Sequence, residues 1–184
     1  MRGEIYTVSI GSGGIPKYSV DNAVLLTKSG FEGDSSKHTK FHGGKDHPDQ
    51  AVCLFSLENI QLLYREGYEL FEGAMGENLT TRLLEYHNIR PGDTFRVGDE
   101  VVIRITKARM PCMTVEKAYP NQNAETESLI KRLWEKEFKK PHLHPESLTY
   151  ENEKWGLSGF YAEVIREGYV QKGDDIEMIV DEHA

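Results

Sequence analysis

A cysteine that follows a proline at the end of a strand can present its thiol outward, and Cys112 stands in that position, behind Arg109-Met110-Pro111. Proline has no amide hydrogen, so the ladder of the preceding strand stops there. Lys107 and Arg109 are close in sequence. Positive charge nearby lowers a thiol's pKa and favours the thiolate, the form that attacks electrophiles or binds metals. Against this stands the common fate of a free cysteine, which is to pack as a small buried apolar side chain. Both readings stand for Cys112. Cys53, inside Ala51-Val52-Cys53-Leu54-Phe55, reads as core.

A second set of candidates lies in the glycine-rich stretch from Gly30-Phe31-Glu32-Gly33-Asp34 to Phe41-His42-Gly43-Gly44-Lys45-Asp46. Glycines allow close backbone approach, and consecutive amide groups can cradle an anion. The spacing matches neither a Walker A loop nor a dinucleotide fingerprint, so on spacing alone a turn-rich surface loop is the better explanation. His38, His42 and His47 are spaced as metal ligands on a helix would be, but Gly43-Gly44 argues against a helix. His142 and His144, set between two prolines, read as a solvated loop. In Gly76-Glu77-Asn78, followed by Leu79-Thr80-Thr81, the amide is able to orient a ligand, although asparagine also bonds its own backbone in turns. No Ser-His-Asp arrangement or glycosidase-type carboxylate pair stands out.

These residues need a scaffold. The 184 residues fit one domain spanning 1–184. Lys and Arg number 22 and Asp and Glu 30, a formal net charge of −8. That sign repels nucleic-acid polymers and anionic membranes, while a small anion remains acceptable in a locally basic pocket. No apolar run reaches the length of a membrane span and no secretory leader is visible. Two cysteines are too few for a disulfide framework, so reduced thiols in a cytoplasm are expected.

Strands are expected at Arg2–Ile10, Ala23–Lys28, Ala51–Phe55, Thr94–Val97, Val101–Ala108, Phe160–Arg166 and Ile176–Val180. Gly73–Thr81 reads as a loop leading into a further strand, and Gly98-Asp99 as a hairpin turn. Helices are expected at Leu57–Glu66, with Ser56 as N-cap and Gly67 beyond its end, and at about Glu125–Lys139. Residues 30–50 read as one long loop. The strands are not interleaved with helices in βαβ order, which argues for a barrel or barrel-like sheet.

Several motifs in order carry a resemblance: Gly13-Gly14-Ile15-Pro16-Lys17, Gly33-Asp34, His42-Gly43-Gly44 and Gly76-Glu77-Asn78-Leu79, then Gly92-Asp93 and Arg109-Met110-Pro111-Cys112, and last Gly156, Gly159-Phe160-Tyr161-Ala162 and Gly173-Asp174. Together they resemble the MOSC domain, named for the C-terminal domain of molybdenum cofactor sulfurases, and look closest to its small stand-alone bacterial members. The resemblance implies an all-β fold, a mostly antiparallel β-barrel with two or three peripheral helices. It also implies a cleft for the molybdenum cofactor, with Cys112 as the molybdenum ligand or a sulfur-carrying thiol. A soft thiolate suits such a metal centre.

Lys17, Asp34, His42, Gly43, Gly44, Asn78 and Arg109 are the cofactor-binding positions that the resemblance implies. The activity it implies is reduction of N-hydroxylated bases, a small-molecule substrate class, with electrons from a separate donor protein. Two alternatives are persulfide carriage on Cys112, fed by a sulfur donor, and a non-catalytic cofactor-binding barrel. The chain departs from the family pattern His-Gly-Gly-Pro-Asp-Arg-Ala-Val. It reads His42-Gly43-Gly44-Lys45-Asp46-His47-Pro48-Asp49-Gln50-Ala51-Val52, so the loop is longer and Gln50 stands at the arginine position.

Overall fold

The computed structural model describes residues 1–35, 47–111, 114–115, 128–134 and 150–180. Seven strands close a ring. β1 (Arg2–Ile10) pairs with β6 (Leu79–Arg82), which pairs with β5 (Val52–Ser56). The ring continues through β9 (Phe160–Arg166), β8 (Val101–Ala108), β7 (Thr94–Val97) and β11 (Asp175–Ile179), and β11 returns to β1. Every pair is antiparallel except β5 with β6. β2 (Tyr18–Val20) extends the sheet beyond β1, and β3 (Val24–Thr27), β4 (Gly30–Phe31) and β10 (Gly168–Val170) form a separate three-stranded sheet. The expected all-β, mostly antiparallel barrel is what the chain forms.

Alternating side chains fill the barrel. Val52 and Leu54, Phe95 and Val97, Ile103 and Ile105, and Phe160, Ala162 and Val164 share one apolar core. Removing each of these side chains but that of Ala162 from water contributes about 1.5–3 kcal/mol. A second apolar cluster lies outside the wall, where Phe55 of β5 meets Ile60 and Leu63 of α1 (Leu57–Arg65) and Leu129 and Leu133 of α2 (Leu129–Leu133). Ser56 caps α1 by accepting from the amide of Asn59 at 3.1 Å, and Gly67 follows with φ +96°.

Three expectations need correction. β5, α1 and β6 form a true βαβ crossover, because α1 occupies the connection that two parallel neighbours require. α2 stops at Leu133: Trp134 adopts extended backbone and turns its ring into the barrel core instead of continuing the amphipathic stripe. Within the stretch read as one loop, Gly30–Phe31 pairs with β3, and Pro48–Gln50 forms a 3-10 turn.

Candidate functional site

Four of the implied cofactor-binding residues fall among the described residues, and they lie in connecting segments around the end of β1. Lys17 sits just before β2, Asp34 just after β4, Asn78 just before β6 and Arg109 just after β8. Lys17 and Arg109 are each only 6% exposed, so both charges are held inside protein.

Lys17 reaches its place by a backbone contact. Its amide donates to the Gly73 carbonyl at 2.9 Å. Gly73 has φ +85°, and a Cβ there would stand 2.2 Å from the Lys17 carbonyl oxygen, so only glycine lets these two loops touch. The Lys17 Nζ then donates to Asp34 Oδ2 at 2.6 Å. Asp34 also accepts from the Gly11 amide at 2.9 Å through Oδ1 and from Asn78 Nδ2 at 2.9 Å through Oδ2. Nearby, the Ser35 amide donates to the Gly11 carbonyl at 2.7 Å, which docks this segment on the glycine loop after β1.

Asn78 stitches strands together. Its backbone amide donates to the Cys53 carbonyl at 2.8 Å, and its carbonyl accepts from the Ser9 amide at 2.7 Å. Its Oδ1 accepts from the Cys53 amide at 3.2 Å, and Nδ2 donates to the Ser9 carbonyl at 3.2 Å as well as to Asp34. Both side-chain N–H groups of Asn78 are therefore used within the protein.

Arg109 is held by backbone and side-chain contacts, with the Tyr161 side chain among its hydrogen-bond neighbours. Its amide donates to the Gly159 carbonyl at 2.8 Å, and its carbonyl accepts from Ser158 Oγ. Its Nη2 donates to the Met75 carbonyl. Among the described residues Nη1 is buried without a hydrogen-bond partner, as is Ser9 Oγ. A buried guanidinium keeps its charge, so an unmatched N–H of this kind is a built-in donor for an anion.

Glu77 completes the arrangement, and the set of implied binding positions did not include it. Fully buried, its Oε1 accepts from the Gly73 amide at 2.7 Å and Thr80 Oγ1 at 3.2 Å, and its Oε2 from the Met75 amide at 3.1 Å. The Met75 peptide is thus clamped between Glu77 at its amide and Arg109 at its carbonyl. The sequence signal was a carboxylate between a glycine and a buried strand, where solvent is an unexpected neighbour.

Burial pushes the Glu77 carboxyl above its usual range, against the pull of its hydrogen-bond donors and of Arg109. The folded protein therefore holds this proton more tightly than the unfolded chain does. Its contribution to stability is complete below the ordinary value of 4.5 and is lost as pH rises through the higher native value. In denaturant titrations at a series of pH values, Glu77→Gln should lack this component. A wild type and a variant with parallel pH profiles would contradict it.

The remaining positions differ. Burial pushes the Cys53 thiol up, with Arg109 as its largest electrostatic neighbour, so Cys53 stays protonated and packs as the expected core residue. Lys107 donates to Asp49 Oδ2 at 2.7 Å, so this lysine, read as a positive neighbour of Cys112, is paired. Cys112, His42, Gly43 and Gly44 lie outside the described residues, as does His38; His47 is described. Among the described residues no cluster of His, Cys, Asp and Glu suits a metal ion, and no helix is long and apolar enough to cross a membrane.

Known proteins share this arrangement of chain. The sequence model of the MOSC domain matches residues 38–177. The Bacillus subtilis protein YflK is 32% identical over 170 residues, covering 90% of this chain and 63% of its own. YiiM of Escherichia coli is 41% identical over 102 residues, covering 53% of this chain and 44% of its own. The chain thus spans less than two thirds of either relative. The crystal structure of YiiM from Geobacillus stearothermophilus superposes with a TM-score of 0.67 over 99% of this chain and 77% of that one, at 21% identity, a likeness of fold.

Proposed function

The chain belongs to the MOSC domain family, a family associated with the molybdenum cofactor, and on that premise we propose that it binds this cofactor and reduces N-hydroxylated bases with electrons from a separate donor protein. One observation carries the reading: Arg109 presents a buried Nη1, unpartnered among the described residues, beside the loop that also holds Lys17. The cofactor is anionic, and a buried guanidinium fork with one free arm fits a phosphate or oxo group on charge and on hydrogen bonding. The residues present therefore fit the group.

In this reading Arg109 and Lys17 hold the anionic part of the cofactor. Asn78 and Glu77 brace what those cations lean on, Asn78 by bonding Asp34 and Glu77 by bonding the Gly73 and Met75 amides. Cys112, three residues after Arg109, supplies the thiolate for the metal. When bound, the cofactor contributes a metal centre able to pass two electrons to a substrate. The protein's own task is to fix that group in a site with little water, where each charge interaction is stronger than in solvent.

The reaction is balanced by two electrons and two protons: the N–O bond breaks, the hydroxyl oxygen leaves as water and the base is reduced. The test uses protein isolated from a host that makes the cofactor, a reduced viologen dye as donor and an N-hydroxylated amidine as substrate. Amidine formation is expected with wild type. Cofactor-loaded protein that yields no amidine would refute the reductase assignment.

A further inference from the structure

The sign of Asp34 opposes an anionic ligand, yet Lys17, Asn78 and the Gly11 amide all converge on it. Three donors from separate parts of the chain, the Gly11 amide, Lys17 Nζ and Asn78 Nδ2, all point at its carboxylate. Its side chain is 12% exposed and that of Lys17 is 7% exposed. We propose that Asp34 is a positioning residue that acts through Lys17, aiming the ammonium group at the bound anion without touching the anion itself. The inference rests on the reading above, in which Lys17 and Arg109 receive an anionic group.

Two physical arguments support it. An ammonium group has three N–H donors, and Asp34 is the sole hydrogen-bond acceptor of Lys17 Nζ among the described residues, which leaves two donors for a ligand. The long lysine side chain otherwise carries large rotamer entropy, and a partner that fixes it beforehand removes that cost from ligand binding. Direct contact between the carboxylate and an anion would instead be repulsive, and more so away from water. The carboxylate is turned onto chain donors on both oxygens, which is the geometry of a support.

The experiment is a double-substitution cycle read as molybdenum bound per chain, on Asp34→Asn, Lys17→Met and the double variant. Each single change should lower retention about tenfold, as loss of a supporting partner does in metal sites. The double variant should fall no further than Lys17→Met alone. Losses that multiply would mean that Asp34 acts on the ligand or the fold independently of Lys17, and would overturn the proposal.

A second measurement needs no cofactor. In nitrogen-15 NMR of lysine-labelled protein, the Lys17 ammonium should give a slowly exchanging signal in wild type that disappears in Asp34→Asn. A wild type without that signal, or a variant that keeps it, would also overturn the proposal. Wild type that binds no molybdenum would instead refute the cofactor reading, and the NMR comparison would still decide the role of Asp34.

Discussion

Replacing Arg109 with methionine is expected to lower molybdenum retention by at least about tenfold, the lower end of the range seen when a single support of a metal site is removed. Methionine keeps an apolar stem like that of arginine but is shorter and removes the whole donor fork. Nη1 would no longer be available to the anion, and the Met75 carbonyl would lose its partner. A lost charge-assisted hydrogen bond costs about 1.5–3 kcal/mol, so the denaturation midpoint should fall as well.

Arg109→Lys separates the two effects. A lysine has the charge but not the planar fork, so it cannot hold the Met75 carbonyl and present a second N–H in fixed geometry. Its fold should be closer to wild type while its molybdenum retention stays low. Metal content measured beside the denaturation midpoint for both variants checks this. Wild-type molybdenum in Arg109→Met would remove Arg109 from the site.

The barrel was legible because its signals are local. The hairpin across Gly98-Asp99 follows from alternation plus a turn residue, and the structure pairs Val97 with Val101 as that reading requires. The parallel β5–β6 pair was missed because a crossover is a statement about two strands 22 residues apart and the helix between them, and strand propensity carries no direction. The short strands β2 and β10 escaped for a related reason. Three residues of alternation fall below any periodic signal, and both are fixed by their neighbours.

The site follows the same division. Gly33-Asp34 and Gly76-Glu77-Asn78 were visible as motifs, but nothing local says that Asn78 Nδ2 meets Asp34 Oδ2, an encounter 44 residues apart in sequence. The role of Glu77 was hidden because a carboxylate in a turn usually faces water. Here it is closed off on all sides, and its partners are the amides of its own loop and a threonine on the next strand.

Cys112 carries the second large effect. Serine is nearly isosteric with cysteine, so the fold should survive Cys112→Ser with its denaturation midpoint close to that of wild type. A hydroxyl remains protonated at neutral pH and is a poor ligand for a soft, sulfur-rich metal centre, whereas a thiolate suits it. Loss of metal without loss of stability would separate a ligand from a packing residue. It would also distinguish Cys112 from Cys53, whose burial among charged groups makes it part of the framework.

The most direct measurement is therefore molybdenum content by mass spectrometry, on wild type and Cys112→Ser isolated without oxygen from a host with an active cofactor pathway. Near-stoichiometric molybdenum in wild type and none in Cys112→Ser is the predicted result. Equal molybdenum in both would contradict the ligand assignment. Its absence from both, with a control enzyme from the same host fully loaded, would contradict cofactor binding itself.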